Sequence, residues 1–247
     1  MPASPDIQIH ADAHAAAVAL ADSFAARAEA AVRGRGRFSV ALTGGSGPVE
    51  AFGLLGAEPY RSRIPWDGVH LFWGDERCVP PGHPRSNFGA ADRLFVSRVP
   101  IPAANVHRMR GEVPPREGAA AYAAELEAFF GAGVPRFDLV HLGIGPDGHV
   151  CSLFPFTDPL RERDRIVTNN LLLPLGEWRI TLTVPVLNAA RRVEFIAPGA
   201  EKAAIVRTAV RGPIDPFRIP AQLVRPVDGE LAWILDRAAA AGLRDHT

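Results

Sequence analysis

The chain has 247 residues, 47% hydrophobic and 22% charged, and its 27 Lys and Arg balance 27 Asp and Glu. That balance leaves no basic footprint for nucleic acid and no acidic solvating arm, and apolar runs of strand length leave nothing to span a membrane as a helix. With only two cysteines, Cys78 and Cys151, and no basic segment ahead of the N-terminal alanines, the sequence predicts one soluble domain over residues 1–247, housed in a reducing cytoplasm.

Residues 12–32 predict a helix, because alanine has the highest helix propensity and Val18, Leu20, Phe24 and Val32 add apolar contacts. "FSVALT" (38–43) predicts a short buried strand that runs into "GGSGP" and a helix from about Pro48. "VHLFWG" (69–74) predicts a second strand, followed by the polar loop "DERCVPPGHPRSN". A helix is expected over 115–130 and a strand over 137–145. "RITLTV" (179–184), a short helix, "RVEFIAP" (192–198), a helix from about Gly199, "ELAWILD" (230–236) and an alanine-rich terminal helix complete the series.

Strands alternating with helices predict an α/β protein, a three-layer Rossmann-like fold with a mostly parallel sheet flanked by helices. Ligands of such sheets bind beyond the carboxyl ends of the strands. Four polar clusters stand at those ends, at 44–48, 75–87, 145–149 and 198–202.

"HLGIGPDGHV" contains G-x-G-x-x-G at Gly143, Gly145 and Gly148. A dinucleotide fingerprint needs an open helix N-terminus facing the pyrophosphate. Here Asp147 places a carboxylate inside the loop, and Pro155 leaves little room for a crossover helix. What remains is Asp147-Gly148-His149, an acid beside an imidazole that accepts a proton near neutral pH.

"TGGSGP" is not a nucleophile elbow, since Pro48 occupies its last glycine position, and no G-K-[ST] follows. Its Gly44, Gly45 and Ser46 amides, leading into a helix, suit an anion. Asp75, Glu76 and Arg77 form a charged cluster at a strand end, with Arg77 a donor to substrate oxygens and the two acids orienting the site. Alternation puts Arg179 on one face with Thr181 and Thr183. Lys202 is the only lysine among 27 basic residues, and a cation at a helix start is disfavoured unless an anion is bound there.

Together, "ALTGGSGP", "VHLFWGDERCVPPGHPRSNFGAADRLF", "FDLVHLGIGPDGHVCSLFP", "RITLTVPVLNAARRVEFIAPGAEKAAIV" and "IPAQLVRPVDGELAWILDRAAA" resemble the glucosamine-6-phosphate isomerase/6-phosphogluconolactonase family, in the family's order. Gly47, Val150-Cys151 and Phe156 depart from its usual Thr, Thr-Ala and Gly.

The resemblance implies hydrolysis of 6-phosphoglucono-δ-lactone, a small sugar-phosphate substrate, without metal or organic cofactor. It implies His149 as general base, with Asp147 orienting it and Asp75 and Arg77 beside it. Gly44, Gly45, Ser46, Arg179 and Lys202 are then expected to grip the phosphate. The sister activity of the family, amino-sugar-phosphate isomerisation and deamination, would use Asp75 on carbon, but Arg77 stands where deaminases carry an aromatic residue. A zinc hydrolase built on His83, His141 and His149 is disfavoured by their spacing. No oligomeric state is assigned.

Overall fold

Apolar runs without polar alternation need cover on both faces, and helices provide it here. The computed structural model describes residues 5–243. In chain order its elements are β1 (Asp6–His10), α1 (Ala13–Arg35), β2 (Phe38–Leu42), α2 (Val49–Leu55), α3 (Tyr60–Arg63), β3 (Val69–Trp73), β4 (Asp75–Arg77), α4 (Asn87–Leu94), α5 (Pro115–Phe130), β5 (Leu139–Leu142), β6 (Val167–Leu172), β7 (Glu177–Leu182), α6 (Val184–Ala189), β8 (Arg192–Ile196), α7 (Ala203–Arg211) and β9 (Glu230–Asp236).

Six strands form one sheet in the order β1-β9-β8-β5-β2-β3, with every pair parallel. Alternate residues of the central strands feed cores on the two faces of the sheet. Val40, Leu42, Leu71 and Trp73 pack with Phe24, Phe52 and Phe95 on the side of α1 to α4. Ala41, Phe72, Leu142 and Phe195 pack with Tyr122, Leu187 and Val206 on the side of α5 to α7. This is the α/β architecture that the alternation of strands and helices implies.

α5 spans the expected residues, and α1 runs three residues past its expected end, from an Asp12 cap that accepts Ala15 N–H at 2.8 Å to Gly36 at φ 75°.

β1 and β6 are additions to the expected elements, and three further features depart from expectation. β4 lies within the stretch that reads as a polar loop, and it pairs antiparallel with β7, which pairs antiparallel with β6. The strand carrying Arg179 therefore belongs to a second, three-stranded sheet. Three charged residues in a row carry no hydrophobic period, so the ladder to β7 makes β4 a strand. Gly199 stands outside the helix expected to begin there, at φ 103°; Ala200–Lys202 form a 3₁₀ turn that leads into α7. The alanine-rich tail is likewise a 3₁₀ segment, Ala239–Leu243, where Gly242 lets the backbone lie against α7: a Cβ there would meet Arg207 Cβ at 3.1 Å. The rest of that expected helix lies outside the described residues.

Sheet order explains why the polar clusters meet. The clusters follow β2, β3, β5 and β8, and these four strands are consecutive in the sheet.

Candidate active site

The turn after β5 is closed by Gly145 N–H donating to His149 C=O at 2.9 Å and Gly148 N–H donating to Gly145 C=O at 3.0 Å. Gly148 sits at φ 84°, a conformation that side chains resist. A Cβ on Gly145 would fall 2.1 Å from the His149 ring, so the imidazole packs where only a glycine leaves room. No helix follows, so Asp147 caps none. Its Oδ1 lies 2.6 Å from His149 Nδ1 and also accepts the His149 backbone N–H at 3.2 Å. Partial burial by itself would raise the Asp147 carboxyl, but the His149 imidazole holds it below its ordinary range. An ionised Asp147 only accepts, which puts the His149 proton on Nδ1 and leaves Nε2 as the proton acceptor. Phe154 stacks on the ring at 4.1 Å between centroids and fixes its plane.

The small sheet supplies the charges. On β4 and β7, Arg77 is directly opposite Arg179 and Asp75 opposite Thr181. Asp75 is buried, and its carboxylate accepts from Ser152 Oγ at 2.7 Å and Asn87 Nδ2 at 3.1 Å. Thr181 and Asn170 hold the same loop, taking Ser152 N–H at 3.2 Å and giving to Ser152 C=O at 3.0 Å.

Glu76, expected to orient the site with Asp75, points elsewhere. It accepts the N–H groups of Arg77, Asn87 and Phe88 and the Ser86 hydroxyl, all within 2.9 Å, and so caps α4. Alternation along a strand sends neighbouring side chains to opposite faces. Burial raises the Glu76 carboxyl, and the donors around it offset part of that rise.

The Arg77 guanidinium donates to the Arg85 carbonyl at 2.7 Å, and Arg179 donates to Glu177 at 2.7 Å. Burial lowers Arg179, while Asp75 and Glu76 favour its charge. Across the cavity, Lys202 Nζ donates to Ile144 C=O at 2.9 Å from its turn after β8.

Gly44, Gly45, Ser46, Asp75, Arg77, His149, Arg179 and Lys202 thus line one cavity of about 230 Å³, with Asp147 bonded to His149. Asn87, Cys151 and Ser152 were not singled out as site residues by sequence reasoning. Asn87 and Cys151 line the cavity; Ser152 anchors Asp75. A Cβ on Gly44 would lie 1.9 Å from Asn87 Oδ1, which fits glycine there. Cys151 adopts φ 50° in the same tight loop. The serine and asparagine stand in the quoted "CSLF" and "RSNF" runs, but nothing local marks their partner.

The three histidines weighed for zinc do not converge. His141 is fully buried in β5 beside Phe24 and Phe52, and His83 accepts Arg85 N–H in the 78–86 loop. Among the described residues no three His, Cys, Asp or Glu side chains are grouped to hold a metal ion.

The family model for glucosamine-6-phosphate isomerases/6-phosphogluconolactonase matches residues 11–233. The 6-phosphogluconolactonase of Nostoc sp. is 39% identical over 226 residues, 90% of this chain and 91% of that one. The 6-phosphogluconolactonase of Homo sapiens is 39% identical over 252 residues, 97% and 94% of the two chains. The solved 6-phosphogluconolactonase from Trypanosoma cruzi superposes with a TM-score of 0.86 at 26% identity, covering 98% of each chain.

Proposed function

The chain belongs to the glucosamine-6-phosphate isomerase/6-phosphogluconolactonase family, and from that premise we propose that it hydrolyses 6-phosphoglucono-δ-lactone to 6-phosphogluconate, the second step of the oxidative pentose phosphate pathway. The observation that carries this reading is the Asp147–His149 pair opening onto a cavity that also holds Arg179 and Lys202.

His149 Nε2 takes a proton from water, and the water oxygen bonds to C1 of the lactone. The carbonyl electron pair moves to its oxygen, where Arg77 and loop amides are the donors for the oxyanion. The oxyanion then collapses, the bond from C1 to the ring oxygen breaks, and His149 returns its proton to that oxygen as it becomes the C5 hydroxyl. Asp147 holds the ring and favours the imidazolium between the two transfers.

At the far end of the sugar, the Gly44, Gly45 and Ser46 amides, Arg179 and Lys202 hold the phosphate, and that remote grip places C1 against the water. Asp75, fixed by Ser152 and Asn87, faces the two arginines with the opposite charge.

The test is acid release from freshly prepared 6-phosphogluconolactone, with unphosphorylated gluconolactone and glucosamine 6-phosphate as comparison substrates and a chelator present throughout. Rapid loss of the phosphorylated lactone, slower loss of gluconolactone and no ammonia are expected. Phosphorylated lactone lost at the spontaneous rate, or ammonia released from the amino sugar, would overturn the reading.

A further inference from the structure

Two arginines directly opposite across antiparallel strands repel each other, and such pairs weaken a sheet unless opposite charge is close by. On β7 the residue two before Arg179, on the same face, is Glu177. Its carboxylate has two oxygens and two arginine partners. Oε2 accepts from Arg179 Nη2 at 2.7 Å, and Oε1 pairs with the Arg85 guanidinium. Arg85 in turn offers its backbone carbonyl to Arg77 Nη1 at 2.7 Å. Residues 85 and 177 therefore tie both arginines of the site into one circuit.

Glu177 is not among the residues lining the cavity around His149; with Arg85 and Trp178 it borders a neighbouring hollow. Its influence on substrate passes through Arg179.

We infer that Glu177, braced by Arg85, is a positioning residue that holds the Arg179 guanidinium in the orientation that receives the substrate phosphate. A long side chain on a strand has several staggered rotamers, and an ordered guanidinium loses less entropy on binding than a free one. A single carboxylate contact occupies one edge of the fork and leaves other N–H donors for a ligand. Arg85 is half-exposed, so its pairing with Glu177 is screened by salt, whereas the Glu177–Arg179 contact is largely shielded.

The inference rests on the proposed role of Arg179 in holding phosphate, and the experiment separates the two. Glu177→Gln, Arg179→Ala and the double variant are compared for kcat and KM on 6-phosphogluconolactone and on unphosphorylated gluconolactone, with thermal melting as a check on folding. Glu177→Gln is expected to raise KM for the phosphorylated lactone by about tenfold, the size of one charge-assisted contact, with kcat and gluconolactone kinetics within about twofold. Arg179→Ala is expected to raise that KM further, and the double variant to match Arg179→Ala, since the carboxylate then has nothing to position. Glu177→Asp is expected to recover part of the lost affinity.

Multiplying effects in the double variant, equal losses on both lactones, or a normal KM in Glu177→Gln beside an impaired Arg179→Ala would each overturn the positioning role while sparing the phosphate reading. A normal KM in Arg179→Ala would overturn both.

Discussion

The carboxyl edge of the six-stranded sheet and the face of the three-stranded sheet serve one cavity by different means. The large sheet contributes turns: the 44–46 amides, His149 over Gly145 and Lys202 after β8, each set by the few residues around it. The small sheet contributes fixed charges, Asp75, Arg77 and Arg179, whose positions depend on pairing between β4 and β7 and on buried partners far along the chain. Chemistry carried by a turn is separable from stability, whereas chemistry carried by a cross-strand lattice is not. Substitutions in the two regions are therefore expected to fail in different ways.

The largest effect is expected at the turn. His149→Ala removes the proposed proton acceptor and should lower kcat by about 10²- to 10⁴-fold, while calorimetric affinity for 6-phosphogluconate stays within a few-fold and the melting temperature hardly moves. Turnover within a few-fold of the parent would place the base elsewhere.

Next comes the proposed phosphate pole. Lys202→Ala should cost about 2–3 kcal/mol of binding to the phosphorylated lactone, seen as a raised KM, with little change for gluconolactone. Lys202→Arg should restore only part of it, because a planar fork does not reproduce a compact ammonium. Lys202 is the only lysine in the chain, so amine-selective labelling with mass mapping, with and without 6-phosphogluconate, gives a second measure of its occupancy. Labelled protein that turns over phosphorylated lactone normally would remove Lys202 from the grip.

Ser152→Ala is the corresponding test of the small sheet. Ser152 is fully buried and its hydroxyl satisfies Asp75, so the variant strands a buried carboxylate oxygen. About 1–3 kcal/mol of stability should be lost in urea unfolding, together with activity. Lost activity at full stability would break the contrast between the two regions.

The smallest effect is in pH dependence. Asp147 is held below its ordinary value of 3.8, so its contribution to stability is present above that pH and is lost as pH falls through the lower folded-state value. The stability profile of Asp147→Asn should be flatter than that of the parent below pH 3.8. Parallel profiles would show that the pair adds nothing to folding.

Much of this was legible along the chain. The buried strands of the large sheet and the helix over 115–130 follow from hydrophobic period and alanine content, which act over a few residues. The Asp147–His149 pair was readable for the same reason, since it joins residues two apart across a glycine turn. The four clusters needed one further rule, that ligands gather at the carboxyl ends of parallel strands.

Tertiary structure decided the rest. β4 has no apolar face, β1 shows its apolar alternation over only five residues, β6 holds Asn169 and Asn170 in mid-strand, and Glu76 caps α4 while its neighbour Asp75 enters the site. Ser152 reaches Asp75 across 77 positions, and Arg77 meets Arg179 through strand pairing alone. Local patterns record which face of an element is buried, because that depends on the element's own period. Which polar residue meets which across a sheet depends on register between distant segments, and register is settled only when the strands pair.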